Sequence, residues 1–203
     1  MPKKLIIVFE GIEGTGKSHH INNVAKYLKK KNKKFIQIRE PGGSKNAEKI
    51  RKVILNNKST FNKYTDLLLY MSARSENIEL IKKNIGKKII LIDRFSDSTI
   101  AYQHYGMGVS LKLIKYINNF LLKDINVDFT FLNIVNQKNM KNRLLKRKKL
   151  NRYDNFNNDF YEKAQKGFIN ILKKNPKKYM KINSNLNIAH NEKIIINKID
   201  DLI

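Results

Sequence analysis

The run Gly11-Ile12-Glu13-Gly14-Thr15-Gly16-Lys17-Ser18 matches the spacing G-x-x-x-x-G-K-[ST] at every fixed position. Glycine opens backbone conformations closed to residues with a Cβ, so successive N–H groups can turn inward around a phosphate. Lys17 is then placed to reach β- and γ-phosphates as a point charge, and the Ser18 hydroxyl to ligate Mg²⁺. The apolar stretch Ile89-Ile90-Leu91-Ile92 ends in Asp93, whose carboxylate could hold that metal directly or through water. An Asp capping the next segment is the plainer alternative. Arg94 follows at once and would sit above the phosphates.

Further residues suit an anionic nucleotide. Arg39-Glu40-Pro41-Gly42-Gly43-Ser44 closes an apolar run, so Arg39 is either an anion ligand or a solvated turn residue. Tyr70 and Arg74 lie four apart and share a helical face, as base platform and phosphate ligand or as core and surface ion pair. Ser98, Thr99, Tyr102 and Gln103 supply hydroxyls and an amide fit to read a base or sugar. His19, His20, His104 and His190 show no ligand spacing with carboxylates, and no His–carboxylate base pair is evident.

These groups must be positioned by elements that the hydropathy pattern supplies. Apolar runs at Leu5 to Glu10, Phe35 to Arg39, Lys88 to Asp93, Phe129 to Ile134 and Tyr179 to Ile182 read as strands. Helical periodicity covers His19 to Lys31, Tyr64 to Asn84, Leu111 to Lys123, Phe160 to Asn175 and the amphipathic stretch Glu192 to Ile203. Strand and helix alternate, so the expected fold is α/β: a parallel sheet covered by helices. The 203 residues contain no repeat and no Pro/Gly/Ser-rich linker, and residues 1–203 read as one domain.

The chain has no cysteine, which excludes a disulfide framework and a thiolate metal site. Met1-Pro2-Lys3-Lys4 leads into an apolar run too short for a signal segment, and no stretch approaches the roughly 20 apolar residues of a membrane span. The expectation is a cytoplasmic, soluble protein with no membrane partner. The formal charge is +25, from 42 Lys+Arg against 17 Asp+Glu. Because the lysines are spread over nearly every helix, they read as a compositional bias that attracts anions, with no dedicated nucleic-acid face.

Taken together, Gly11 to Ser18, Arg39 to Gly43, Leu68 to Arg74, and Asp93-Arg94 followed by Ser98-Thr99 and Ala101-Tyr102-Gln103 resemble thymidylate kinases of the bacterial type. The likeness continues through Arg143, Arg147 and Leu150-Asn151-Arg152-Tyr153-Asp154, similar to that family's basic lid, then Phe160-Tyr161 and Gly167-Phe168. It implies a P-loop NTPase three-layer fold: a five-stranded parallel sheet, helices on both faces and a short basic lid at about 143–156.

The implied reaction is transfer of the γ-phosphoryl of ATP to dTMP with Mg²⁺, giving dTDP and ADP for dTTP synthesis. By that resemblance the loop residues Gly11, Ile12, Glu13, Gly14, Thr15, Gly16, Lys17 and Ser18, with Arg143 and Arg147, hold ATP, and Ser18 and Asp93 support the metal. Arg39, Arg74 and Arg94 hold the dTMP phosphate or bridging oxygens beside Pro41, and Tyr70 stacks on thymine. Ser98, Thr99 and Gln103 lie at the nucleoside, where Thr99 and Gln103 contact the base, and Tyr102 crowds the sugar so that deoxyribose is favoured. Glu13 takes the acidic position near the sugar hydroxyl, or is a solvated loop glutamate.

Some relatives carry an arginine where this loop has Gly14, so a transition-state cation must come from the lid. Arg152 is the first choice, with Arg147 and Arg143 behind it, while Lys146, Lys148 and Lys149 read as a solvated helix face. The catalytic set is thus Lys17, Arg94, Arg152 and Glu13. Tyr70 replaces the commoner phenylalanine, and its hydroxyl needs a partner. Apolar residues of Leu111 to Lys123 pack in the core or, as the resemblance suggests, mediate a homodimer.

Three alternatives are weighed. Asn197-Lys198-Ile199-Asp200 fits the guanine-reading N-K-x-D pattern of a GTPase, yet it lies in an amphipathic segment and no D-x-x-G exists. A nucleic-acid module rests on charge alone. A deoxynucleoside kinase would want a carboxylate base such as Glu13 or Glu40, whereas three arginines favour an acceptor that already bears phosphate.

Overall fold

The computed structural model of the chain describes residues 4–147 and 150–203. Five parallel strands, β1 (Ile6–Glu10), β2 (Phe35–Arg39), β3 (Ile89–Asp93), β4 (Phe129–Ile134) and β5 (Tyr179–Asn183), form one sheet in the order β2-β3-β1-β4-β5. The middle strands β1, β3 and β4 are buried along almost their whole length, as strands covered on both faces must be; β1 and β3 are apolar up to their terminal acids, while β4 also buries Thr130 and Asn133. Helices α1 (Lys17–Lys30), α2 (Lys45–Ile54) and α3 (Lys63–Asn84) precede β3. After it come the short α4 (Ser96–Thr99), a π-helical segment (Ile100–Gly106), α5 (Leu111–Leu121), α6 (Gln137–Leu145), a 3-10 turn (Arg152–Asn155), α7 (Asn158–Lys174) and α8 (Ile188–Leu202).

The pleat sends alternate β1 residues to opposite layers. Ile7 and Phe9 pack with Ile21, Val24 and Leu28 of α1 and Ile195 and Ile199 of α8. Ile6 and Val8 pack with Ile78 and Ile81 of α3 and with Phe95. Helices therefore cover both faces, as expected. Strand limits agree with the sequence reading to within one residue. The first helix begins at Lys17 rather than His19, because the left-handed Gly16 is its N-cap. Asn197-Lys198-Ile199-Asp200 lies inside α8, where Asp200 accepts a bond from the Tyr27 hydroxyl. No described helix is long and apolar enough to cross a membrane. Met1-Pro2-Lys3 and Lys148-Lys149 lie outside the described residues.

The sheet's strand order reverses at β1, with β3 on one side and β4 on the other. In such sheets the crevice beyond the carboxyl ends of the strands collects ligands. The glycine loop, Arg39, and Asp93-Arg94 all leave strands at that edge.

Candidate active site

A cavity of about 410 Å³ opens there. Its floor is the loop between β1 and α1. Gly11 is required by a close approach: a Cβ on it would stand 2.2 Å from the Asn133 carbonyl oxygen of β4. Unlike α2, α6 and α7, whose first turns are capped by Ser44, Asn136 and Asn157, α1 has no side-chain cap and no acid in its first turn. Its leading N–H groups and positive dipole end thus face the cavity without a capping side chain of their own.

Lys17 is 6% exposed and its ammonium donates to Gly11 O (2.8 Å), Ile12 O (2.7 Å) and Thr15 Oγ1 (3.1 Å). Burial, and then the charge of Arg94, bring it down to about 7, against Asp93, Glu13 and Glu10, which act upward. At the mouth of the loop Ser18 donates to Asp93 Oδ2 at 2.9 Å. A hydroxyl and a carboxylate so placed are the hard oxygen donors that Mg²⁺ takes, leaving room for phosphate oxygens and water. Among the described residues there is no group of three or more His, Cys, Asp or Glu that could hold a metal ion.

A buried charged cluster forms the opposite wall. Arg94 has φ 66°, the left-handed region that a non-glycine residue rarely takes, and this turns its guanidinium back over the loop. It donates to Gly11 O (2.8 Å), Glu13 Oε1 (2.8 Å) and the Tyr102 hydroxyl (3.1 Å), while Tyr102 donates to Glu13 Oε2. Burial pushes Glu13 up, yet Arg94, Lys17 and the Tyr102 hydroxyl outweigh it and hold the carboxyl below its ordinary value. Tyr102 and Gln103 ride on the π-helical segment, a form frequent at functional sites. Tyr70 of α3 lines the cavity with its ring edge-on to Tyr153 at 5.8 Å. Its hydroxyl finds its partner in Tyr153, and burial pushes it up.

The cavity lining brings together Glu13, Gly14, Thr15, Gly16, Lys17, Ser18, Arg39, Pro41, Tyr70, Asp93, Arg94, Ser98, Tyr102, Gln103, Arg143 and Arg147. Among the described residues, Gly11, Ile12, Arg74, Thr99 and Arg152 stand outside it. Gly11 O and Ile12 O instead hold Lys17 from behind. Arg74 is 1% exposed: it donates to Glu40 Oε2 through Nε (2.9 Å) and Nη2 (2.7 Å) and to Asn118 Oδ1 (2.7 Å), over the Phe95 ring. Arg152 is held by Asp66, donates to Ile54 O (3.0 Å) and is flanked by the rings of Phe61 and Tyr153. Thr99 is buried with its Oγ1 unpartnered.

Sequence reasoning missed other residues. Arg51 lines the cavity and donates to Pro41 O at 2.5 Å. Burial, then the charge of Arg39, pushes it down, with Arg94 adding to the effect, so an anion would relieve a crowd of cations. Its one sequence sign is its place on the helix that opens after the Pro41 turn. His19 lies at the rim with Nε2 2.5 Å from Glu192 Oε1, a His–carboxylate pair that corrects the expectation of none. The two are 173 positions apart, which no spacing rule could find. Arg143 donates to Gly14 O (2.8 Å) and Ser184 O (2.7 Å), and Arg147 to Asp154 Oδ1 (2.6 Å).

Comparison with known proteins agrees with this geometry. The family description that matches the chain, over residues 9–195, is thymidylate kinase. A thymidylate kinase of Thermosipho africanus is 37% identical over 171 residues, covering 83% of this chain and 85% of the relative. One of Mycoplasma capricolum is 34% identical over 206 residues, covering 97% of each. The crystal structure of thymidylate kinase from Ehrlichia chaffeensis superposes with a TM-score of 0.79 at 30% identity, over 98% of this chain and 99% of that one.

Proposed function

The chain belongs to the thymidylate kinase family and is an ATP-dependent nucleotide kinase that converts dTMP to dTDP; from that premise we propose how its residues share the work. Residues 1–203 act as one kinase domain in which 143–156 is the lid. ATP lies along the loop from Glu13 to Ser18, with Lys17 at the β- and γ-phosphates. Mg²⁺ is held by Ser18 and by Asp93, directly or through water, and when bound it neutralises charge on the transferring phosphoryl group. The contact between Ser18 and Asp93 supports that placement.

dTMP lies across the cavity. Its phosphate meets Arg39, Arg94 and the newly found Arg51, its base faces Tyr70 and Gln103 beside Ser98, and its sugar meets Tyr102 and Glu13. Arg74 and Thr99, which stand outside the lining, support the wall from behind. The single observation that carries this reading is the Glu13–Arg94–Tyr102 cluster set directly against the phosphate loop, which joins an acceptor site to a donor site. The acceptor oxygen is already anionic, so the reaction needs alignment and charge neutralisation rather than a strong base. The His19–Glu192 pair therefore has no proton to remove.

For the transition-state cation, Arg147 and Arg143 line the cavity, whereas Arg152 would have to leave Asp66. Arg147→Ala is expected to lower kcat much more than it weakens dTMP binding; a change confined to KM would return the role to Arg152. A helix-mediated homodimer is supported by α5, which exposes Leu113, Tyr116 and Phe120, beside exposed Tyr64 and Leu68 of α3. A cytoplasmic location accords with a cysteine-free chain that acts on nucleotides.

The test is ADP release with ATP and Mg²⁺, offering dTMP, dUMP, dCMP, dGMP, AMP and thymidine separately, with Lys17→Ala as the blank. Turnover mainly with dTMP and none with thymidine is expected. Turnover with thymidine would mean a hydroxyl acceptor, and none with any acceptor would overturn the assignment.

A further inference from the structure

Gln103 is 1% exposed and lines the cavity. Its amide nitrogen carries two hydrogens, and both are taken: Nε2 lies 2.9 Å from Asp66 Oδ2 and 3.2 Å from the Tyr153 hydroxyl. A carboxylate accepts and does not donate, so the amide must turn its nitrogen to Asp66. The Tyr153 hydroxyl gives its own hydrogen to the same Oδ2 at 2.5 Å, so toward Gln103 it too can only accept. Reversing the amide would set its carbonyl against two acceptors at once.

What remains is the Gln103 carbonyl. Oε1 is buried and has no partner. A buried acceptor left unmade is unfavourable by roughly 1–3 kcal/mol, which a ligand donor at that point would recover. Asp66 is itself 1% exposed and stands outside the cavity lining, so at the base it acts through Gln103 and the Tyr153 hydroxyl, while its other oxygen holds Arg152.

We propose that Asp66, together with the Tyr153 hydroxyl, is the positioning residue for base choice: it commits Gln103 to present an acceptor, and so selects a pyrimidine whose N3 carries hydrogen. Thymine and uracil offer an N3–H donor. Cytosine has a lone pair at N3, which would meet the fixed carbonyl lone pair to lone pair. This inference rests on the reading of the cavity as a dTMP site.

The experiment compares kcat/KM for dTMP and for dCMP in the wild type, Asp66→Asn, Gln103→Leu and the double variant. Asn at position 66 can donate, so Gln103 becomes free to reverse. The ratio of dTMP to dCMP should fall on the order of tenfold or more in Asp66→Asn, chiefly by loss of dTMP turnover, and the double variant should show the ratio of Gln103→Leu alone. Equal losses for both substrates, or a double variant whose loss is the product of the single losses, would overturn the proposal.

Should Asp66→Asn fail to fold, Tyr153→Phe carries the test, since it leaves the Asp66–Arg152 pair in place and removes one of the two oxygens that hold the amide. Its ratio should fall in the same direction by a smaller factor, and an unchanged ratio would overturn the idea. A wild type that does not phosphorylate dTMP would instead reject the functional reading, an outcome visible before any variant is made.

Discussion

Replacing Arg74 by leucine separates a ligand role from a supporting one. The Arg74 guanidinium is 1% exposed and the Glu40 side chain 4%, and their contact at 2.7 Å is joined by a bond to Asn118 and by the Phe95 ring. Removing one partner of such a buried pair leaves an uncompensated carboxylate, a loss of about 3–5 kcal/mol. Set against a total stability of about 5–15 kcal/mol, that is a large fraction. At roughly 2–4 °C per kcal/mol for a chain of this size, the melting temperature should fall by roughly 6–20 °C. Burial already raises Glu40 above its ordinary value, with Arg74 opposing it. Without Arg74 it rises further. A carboxyl raised in the folded state binds its proton more tightly there than when unfolded, so the stability it supports is present at low pH and is lost as pH rises through the folded value. The deficit of Arg74→Leu should therefore be small near pH 4 and grow toward pH 8. Equilibrium urea unfolding followed by circular dichroism across that range reads both features, and Arg74→Leu/Glu40→Leu, which removes the stranded charge, should recover most of the loss. A single variant that loses under about 1 kcal/mol at pH 8 while its KM for dTMP rises would refute this reasoning and restore Arg74 as a phosphate ligand.

Two further outcomes follow from the site. Because Lys17 is brought down to about 7, it is largely protonated at pH 6 and largely neutral at pH 8, and bound phosphates would restore its proton. Titration calorimetry in buffers of different ionisation enthalpy should thus show more proton uptake on ATP binding at pH 8 than at pH 6, with the difference absent in Lys17→Ala; equal uptake at both pH values would contradict it. Gly106→Ala would put a Cβ 2.5 Å from Phe160 Cε2, where α7 packs on the segment that carries Tyr102 and Gln103. Overpacking of this kind destabilises by about 1–3 kcal/mol, and here it should also raise KM for dTMP; unfolding and kinetics unchanged from wild type would count against that packing.

The part of this structure that could be read from the chain is the part set by neighbours in sequence. Central strands are apolar because both faces are covered, so Ile89 to Ile92 announces itself, as does the phosphate loop with all its fixed positions. What could not be read depends on pairings made in space. Glu40 and Arg74 are 34 positions apart, Asp66 and Arg152 86, and His19 and Glu192 173. Tyr70 and Arg74 do share a helix at i, i+4, as spacing predicts, yet one lines the cavity and the other turns to a buried acid. Spacing places two side chains on a face but does not say which partner awaits each. The π-helical segment was equally hidden, since its wider turn follows from packing against α7 with Phe160 over Gly106 and Tyr105 over Gly167.

The cavity cations are already engaged with oxygens of the protein, and the kind of oxygen decides what a phosphate gains by displacing it. Lys17 and Arg143 hold mainly neutral carbonyls, of Gly11, Ile12, Gly14 and Ser184. Exchanging a carbonyl dipole for an anion strengthens the contact, so on the proposed reading these two favour ground-state binding, and a formal charge of +25 would add a general attraction for anions. Arg39 and Arg147 instead hold carboxylates, Glu48 at 2.9 Å and Asp154 at 2.6 Å. Trading one anion for another yields little unless the incoming charge exceeds the one released. For Arg147 the contact with Asp154 must be given up for a phosphate oxygen, so on the proposed reading it gains less than Lys17 and Arg143 from holding ATP and is the cation left to follow charge as it shifts during transfer. Interactions that strengthen only as charge shifts raise kcat rather than lower KM, which is why, on the proposed reading, Arg147 is grouped with the catalytic residues and Arg143 of the same lid with the binding loop.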